Sequence, residues 1–165
     1  MAKAKSYARL GSDLALTRYT GVPVSLPLLE ADSWGTLDLQ AVPGKGTGLQ
    51  KSTEARDLGA ISGRDNLGQA LILRLLTHKG ALAPLGHPEY GSRLVELIGR
   101  LNDETSYNLA RLYTIEALSQ EPRVRRLLDL SVDTAESSAD TLRISFSVVP
   151  LDDDEPLGLA LEVTL

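Results

Sequence analysis

The spacing of apolar residues changes character along the chain and predicts its elements. From Asn66 onward, Leu67, Leu71 and Leu75 fall on one helical face, with Ile72 and Leu76 beside them. Asn66 suits an N-cap, Gln69 three residues on resembles a capping box, and Gly80 can end the helix in a left-handed cap. The stretch GALAPLGHPEYG reads as a loop. A second helix is predicted from near Gly91, with Leu94, Leu97, Ile98 and Leu101 at i, i+3, i+4 and i+7. A third spans Glu104 to Ser119, turns Leu109, Leu112, Tyr113 and Ala117 inward, and is stopped by Pro122.

The period then drops to two. Leu128, Leu130 and Val132 alternate with Asp129 and Ser131. Leu142, Ile144, Phe146 and Val148 alternate with polar residues, as do Leu157, Leu159, Leu161, Val163 and Leu165 with Gly, Ala, Glu and Thr. These are three half-buried strands joined by polar turns. The run Asp152 to Glu155 reads as a solvated turn. Helices followed by an antiparallel meander give an α+β fold of about three helices on a small antiparallel sheet.

The first part of the chain is less regular. Residues 1–56 are rich in Gly and Pro. Short alternating runs at Val22, Val24, Leu26 and at Leu37, Leu39, Ala41 read as strands, and PGKGTG from Pro43 is a turn or loop. The expectation is a strand-bearing N-terminal arm, partly held by other chains, ahead of an α+β domain over residues 57–165.

Composition narrows the chemistry. The chain has 165 residues, room for one hydrophobic core. Aromatics are 4%, so an aromatic-lined sugar or base pocket is hard to build. A formal net charge of -5 argues against nucleic acid as a direct partner, since that binding runs on surplus Lys and Arg. With no cysteine there is no disulfide or thiolate chemistry, as suits a protein made in a reducing cytoplasm. No signal peptide or membrane-inserting stretch is apparent.

Four local patterns occur in a fixed order: NLGQALILRLLTHKG at Asn66 to Gly80, HPEYG at His87 to Gly91, an amphipathic helix pair, and EPRV at Glu121 to Val124 leading into a strand. This set resembles the bacteriophage baseplate wedge protein 25 family, once called lysozyme-like, whose members initiate the sheath of contractile tails. The resemblance covers about residues 57–133. It implies that Glu121, Pro122 and Arg123 help dock the protein on the baseplate wedge. Thr77 and Gly80 match the family's Thr-x-x-Gly turn, and Pro88 and Gly91 its Pro-x-x-Gly turn. Where the family often has Glu after the first of these glycines, this chain has Ala81. The resemblance further implies that a strand pairs with sheath protein. Leu157, Leu159, Leu161 and Val163 carry the alternation that such pairing would use. Wedge and sheath proteins are the implied partners, with tube or hub proteins as further ones. The implied setting is the bacterial cytoplasm during assembly and afterwards a virion or tail-like particle.

The residues also have plain readings. Pro122 removes an N–H and ends a helix, and Arg123 offers a planar fork for carboxylates or carbonyls. Glu121 can hold Arg123 in place. A glycosidase would need two positioned carboxylates, one with a raised pKa. Glu89, Glu96, Asp103, Glu104 and Glu121 are available, but none has an apolar setting in sequence. His78 and His87 lack metal-ligand spacing, so no metal or cofactor is expected. GKGTG lacks the phosphate-loop spacing. Arg123, Arg125 and Arg126 form a basic cluster that could bind phosphate but, given the net charge, better suits a protein contact or a solvated face, and Trp34 and Tyr90 read as core or interface anchors. The expectation is a non-enzymatic baseplate component linking wedge to first sheath ring. The alternatives are a baseplate glycoside hydrolase and an unrelated soluble homo-oligomeric adaptor.

Overall fold

The structure is a computed structural model, and it describes residues 8–16, 41–43, 56–136 and 138–165. A 3-10 turn at Ala8–Leu10 precedes β1 (Ser12–Leu14). Next come β2 (Ala41–Pro43), β3 (Arg56–Leu58) and β4 (Ala60–Ser62). Then follow α1 (Gly63–Leu76), α2 (Glu104–Ser119), β5 (Val124–Thr134), β6 (Thr141–Pro150) and β7 (Leu157–Thr164). β5, β6 and β7 form an antiparallel meander in that order. β1 pairs with β4 and β2 with β3 in two short antiparallel ribbons.

The expected α+β architecture is present. α2 packs on β5 and β6, and α1 packs on β7. Between helices and sheet lies one core: Leu67, Leu71 and Leu75 from α1, Ala110, Tyr113 and Leu118 from α2, and the inward positions of β6 and β7. The strict alternation of Leu142, Ile144, Phe146 and Val148 against Leu157, Leu159, Leu161 and Val163 puts every one of these side chains in that core. No helix among the described residues is long and apolar enough to cross a membrane.

Four local expectations are corrected. The second predicted helix is a 3-10 turn, Leu94–Leu97. It lies between Gly91 and Gly99, both at positive φ, which leaves too short a run for an α-helix. Leu94 and Leu97 are buried, while Ile98 and Leu101 are exposed. In α2 the inward face is rotated by about a residue. Ala110, Tyr113, Thr114, Ala117 and Leu118 are buried and Leu112 points outward, because the small Ala side chains allow close approach to the sheet. In β5, register shifts on either side of Arg126–Leu127 break the alternation, so Leu128 is exposed and Leu127 takes the inward side. The acidic turn is not freely solvated. Asp153 is buried and bonded to Arg64, and Arg125 Nη2 donates to Asp154 Oδ1 at 2.6 Å.

The first part of the chain is only partly described. The expected strand at Val22 to Leu26, residues Leu37 and Leu39, most of PGKGTG and Trp34 lie outside the described residues. Ala41 opens β2.

Candidate functional site

The Glu-Pro-Arg corner is where α2 hands over to the sheet. α2 starts at Asp103, whose carboxylate accepts from Ser106 N at 2.8 Å as an N-cap. The helix ends at Ser119, ahead of Pro122, and Val124 N donates to Glu121 O at 3.0 Å to close the turn. Pro122 stands exposed at its tip.

Glu121, by contrast, is only 5% exposed. Its Oε1 accepts from Arg123 Nε at 2.6 Å, and its Oε2 accepts from Arg123 Nη2 and Arg74 Nη2, each at 3.2 Å. Burial alone would raise the Glu121 pKa. The hydrogen bonds and charge of Arg123, with Arg74 behind it, more than offset this and hold the carboxyl below its ordinary value. The same bonds raise the pKa of Arg123, so the pair stays charged.

The corner also grips the N-terminal arm. Arg123 Nη1 donates to Leu10 O at 3.2 Å, and Asn66 Nδ2 donates to the same oxygen at 2.8 Å. Gln69 makes a two-way clamp, its Nε2 donating to Leu14 O at 2.8 Å and its Oε1 accepting from Leu16 N at 3.0 Å. Asn66 and Gln69 are therefore not a capping pair. α1 begins four residues earlier than expected, with Ser62 in the N-cap position. The two amides are buried and bind the arm's backbone, which cannot be left unpaired in the interior. Residues 8–16 are thus held by this chain's own α1 and β4.

A second feature abuts the corner. The Thr-x-x-Gly and Pro-x-x-Gly turns are joined by backbone hydrogen bonds: Ser92 N to Thr77 O and Lys79 N to Ser92 O, both 2.8 Å, and Gly80 N to Tyr90 O at 3.2 Å. α1 itself ends at Leu76, so Gly80 serves this turn pair and not the helix cap. Gly91 has φ +108°, and a Cβ there would sit 2.7 Å from the Thr77 and His78 carbonyl oxygens. Only glycine fits. The turn pair brings the Tyr90 ring over Arg74, with 4.4 Å from Cζ to the ring centroid. Arg74 and Leu10 were not singled out from sequence. A charged residue within the apolar run ALILRLL was the available signal for Arg74.

The chain shares its fold with a crystal structure of a candidate tail lysozyme from Geobacter sulfurreducens. The two are 19% identical, with a TM-score of 0.54 over 64% of this chain and 93% of that one. At that identity the likeness concerns the fold. No protein-family model matches the chain, and no curated protein matches it.

The predicted strand-pairing residues are also placed. Leu157, Leu159, Leu161 and Val163 all point into the core, so any pairing at β7 would run through its backbone. β7 is a terminal strand of its sheet, bonded to β6 on one side, with no strand on its other edge among the described residues. Gly158 is exposed and Ala160 half-buried on the outward side.

The remaining polar residues have local roles. Glu96 is paired with Arg93, and Asp103 caps α2. The Arg93 hydrogen bond lowers the first pKa and the Ser106 backbone hydrogen bond lowers the second. Glu89 and Glu116 both bond Lys79, at 3.2 and 2.6 Å. Burial raises the pKa of Asp65, in the first turn of α1, but Arg64 beside it opposes the shift. His78 and His87 are exposed, and no cluster among the described residues could hold a metal ion.

Proposed function

We propose that this protein is a structural component of a contractile-tail baseplate that links the wedge to the first ring of sheath and initiates sheath assembly. The observation that carries the reading is a fold shared with a candidate tail lysozyme, together with the ordered turn, helix and Glu-Pro-Arg patterns along the same stretch. In this reading the corner docks on the wedge. Glu121 is turned inward and acts as a brace, so the docking surface is the outer rim: the exposed Pro122 ring and the free side of Arg123. An Arg has five N–H donors. Three are engaged by Glu121 and Leu10, which leaves two with no partner among the described residues, on a side chain 26% exposed. Because the guanidinium is already braced, little ordering remains to be done when a partner binds. β7 then offers for pairing with sheath protein the backbone edge that no strand among the described residues covers.

The reading is of a non-enzymatic part. An acid catalyst for glycoside cleavage needs a carboxyl held above its ordinary pKa. Here Glu96, Asp103 and Glu121 are held below it and Glu89 is exposed and bound to Lys79, while burial raises Asp65 against the opposing charge of Arg64.

The test is reconstitution of baseplates with Pro122→Glu, which changes an exposed tip and should leave the isolated chain's melting temperature unaltered. Failure of the folded variant to join baseplates is the expected result. Normal incorporation would remove the corner from the docking surface.

A further inference from the structure

The cavity beside the corner has a chemistry that the docking reading does not use. It is a shallow hollow of about 530 Å³, largely open to solvent, lined by Arg74, by His87, Pro88, Glu89 and Tyr90 of the turn pair, and by Gln120 at the end of α2. Of these, only Arg74 is buried, its side chain 9% exposed. Two guanidiniums, Arg74 and Arg123, share the single carboxylate of Glu121, so among the described residues the cluster carries one surplus positive charge. Asp13 is exposed and acts on Arg123 only through its field. The cavity's own acid, Glu89, is bound to Lys79. Buried charge is normally matched by a counter-charge.

The hydrogen bonding leads the same way. Arg74 Nε is buried and finds no acceptor among the described residues. Its guanidinium makes one side-chain bond, at 3.2 Å to Glu121, and lies against the Tyr90 ring face. An unpaired buried donor is destabilising, and a planar two-oxygen acceptor would relieve it.

From this geometry we propose that the cavity is a carboxylate-binding site, in which Arg74 takes the two oxygens and Gln120 contributes its side-chain amide at the rim. Tyr90 and Pro88 offer apolar surface to a methylene stem, which suits a Glu-like group. The assignment rests on the cavity and stands whether or not the corner docks on a wedge. The carboxylate can come from an acidic side chain of another protein or from a free dicarboxylate.

The experiment is a titration of the full chain followed by the arginine Nε–H resonances in NMR, with Arg74 assigned from its loss in Arg74→Lys. The probes are glutarate, a capped Ala-Glu-Ala peptide and inorganic phosphate. The expected result is a saturable shift of the Arg74 signal with the carboxylates and a weaker response to phosphate. Tighter binding of the peptide would identify a protein side chain as the source, and tighter binding of glutarate a free dicarboxylate. Gln120→Glu, an exposed change that leaves the fold intact should Arg74→Lys not, is expected to weaken binding about tenfold by placing a like charge at the rim. No saturable shift, an unchanged affinity in Gln120→Glu, or phosphate binding as tight as glutarate would each overturn the assignment.

Discussion

Replacing Glu121 with Gln keeps the size of the side chain and removes its charge. In the native protein that carboxylate accepts three side-chain hydrogen bonds from two guanidiniums and a fourth, at 3.3 Å, from Arg123 N. The variant leaves Arg74 and Arg123 facing each other with no anion between them, and the Gln amide turns donors toward donors. Removing one member of a buried ion pair costs about 3–5 kcal/mol. The lower figure applies here, because Arg123 is 26% exposed and can partly rehydrate. A loss of about 3 kcal/mol, with a urea m-value on the order of 2 kcal/mol/M, moves the unfolding midpoint down by about 1.5 M. The pH dependence gives a second readout. The folded pKa of Glu121 lies below its ordinary value of 4.5, so the unfolded chain binds the proton more readily. Its contribution is present above that value and is lost as pH falls through the folded pKa. Glu96 and Asp103 add acid sensitivity of the same sign, so the informative quantity is the difference between the two proteins. The gap between wild type and Glu121→Gln should narrow below about pH 4.5. A midpoint within a few tenths of a molar of wild type, or a gap that stays constant with pH, would refute the bracing role.

Four further outcomes are expected. Gly91→Ala should lower stability by more than about 2 kcal/mol, because it combines positive φ with a collision on two carbonyl oxygens, whereas Gly86→Ala, at positive φ but in open space, should cost about 1 kcal/mol; equal melting temperatures would contradict this. Arg123→Ala should block incorporation into baseplates and also lower the midpoint of the isolated chain, since it loses the bonds to Glu121 and Leu10; an unchanged midpoint would mean the clasp contributes nothing. Purified protein should not clear a peptidoglycan suspension in a turbidity assay, and clearing abolished by one Glu→Gln change would overturn the non-enzymatic reading. Ala160→Pro should prevent sheath attachment to assembled baseplates more severely than it lowers the melting temperature of the isolated chain; equal damage to both would assign β7 to its own sheet alone.

What could be read from the chain was what periodicity records. The strands β6 and β7 and the span of α2 follow from runs in which each residue reports on its immediate neighbours. The misreadings come from contacts distant in sequence. Asn66 and Gln69 have the identities of a capping pair, but the groups they bind lie more than 50 residues upstream. Leu94, Leu97, Ile98 and Leu101 have helical spacing, but flanking glycines at positive φ end the run before a helix can form. At the candidate site, Glu121 and Arg123 were visible as neighbours in sequence. Arg74 and Leu10 were not, because their part in the cluster exists only once α1, the arm and the corner have packed.

This packing changes what a docking corner can be. A surface ion pair at a helix stop would contribute little to stability and would be free to rearrange against a partner. The buried version cannot rearrange without exposing Leu10 O, Arg74 and the start of β5 together. Leu151 N bonds Arg123 O at 2.8 Å, which ties the corner to the far end of the β5–β6 hairpin, and Arg125 ties β5 to the turn that opens β7. A displacement imposed at the corner therefore reaches β6 through the Arg123–Leu151 backbone bond, and Arg125 links β5 to the mostly exposed turn ahead of β7. Interiors packed in this way transmit strain with little compliance. On the docking proposed above, these connections would couple a partner at the corner with the sheet that carries β7.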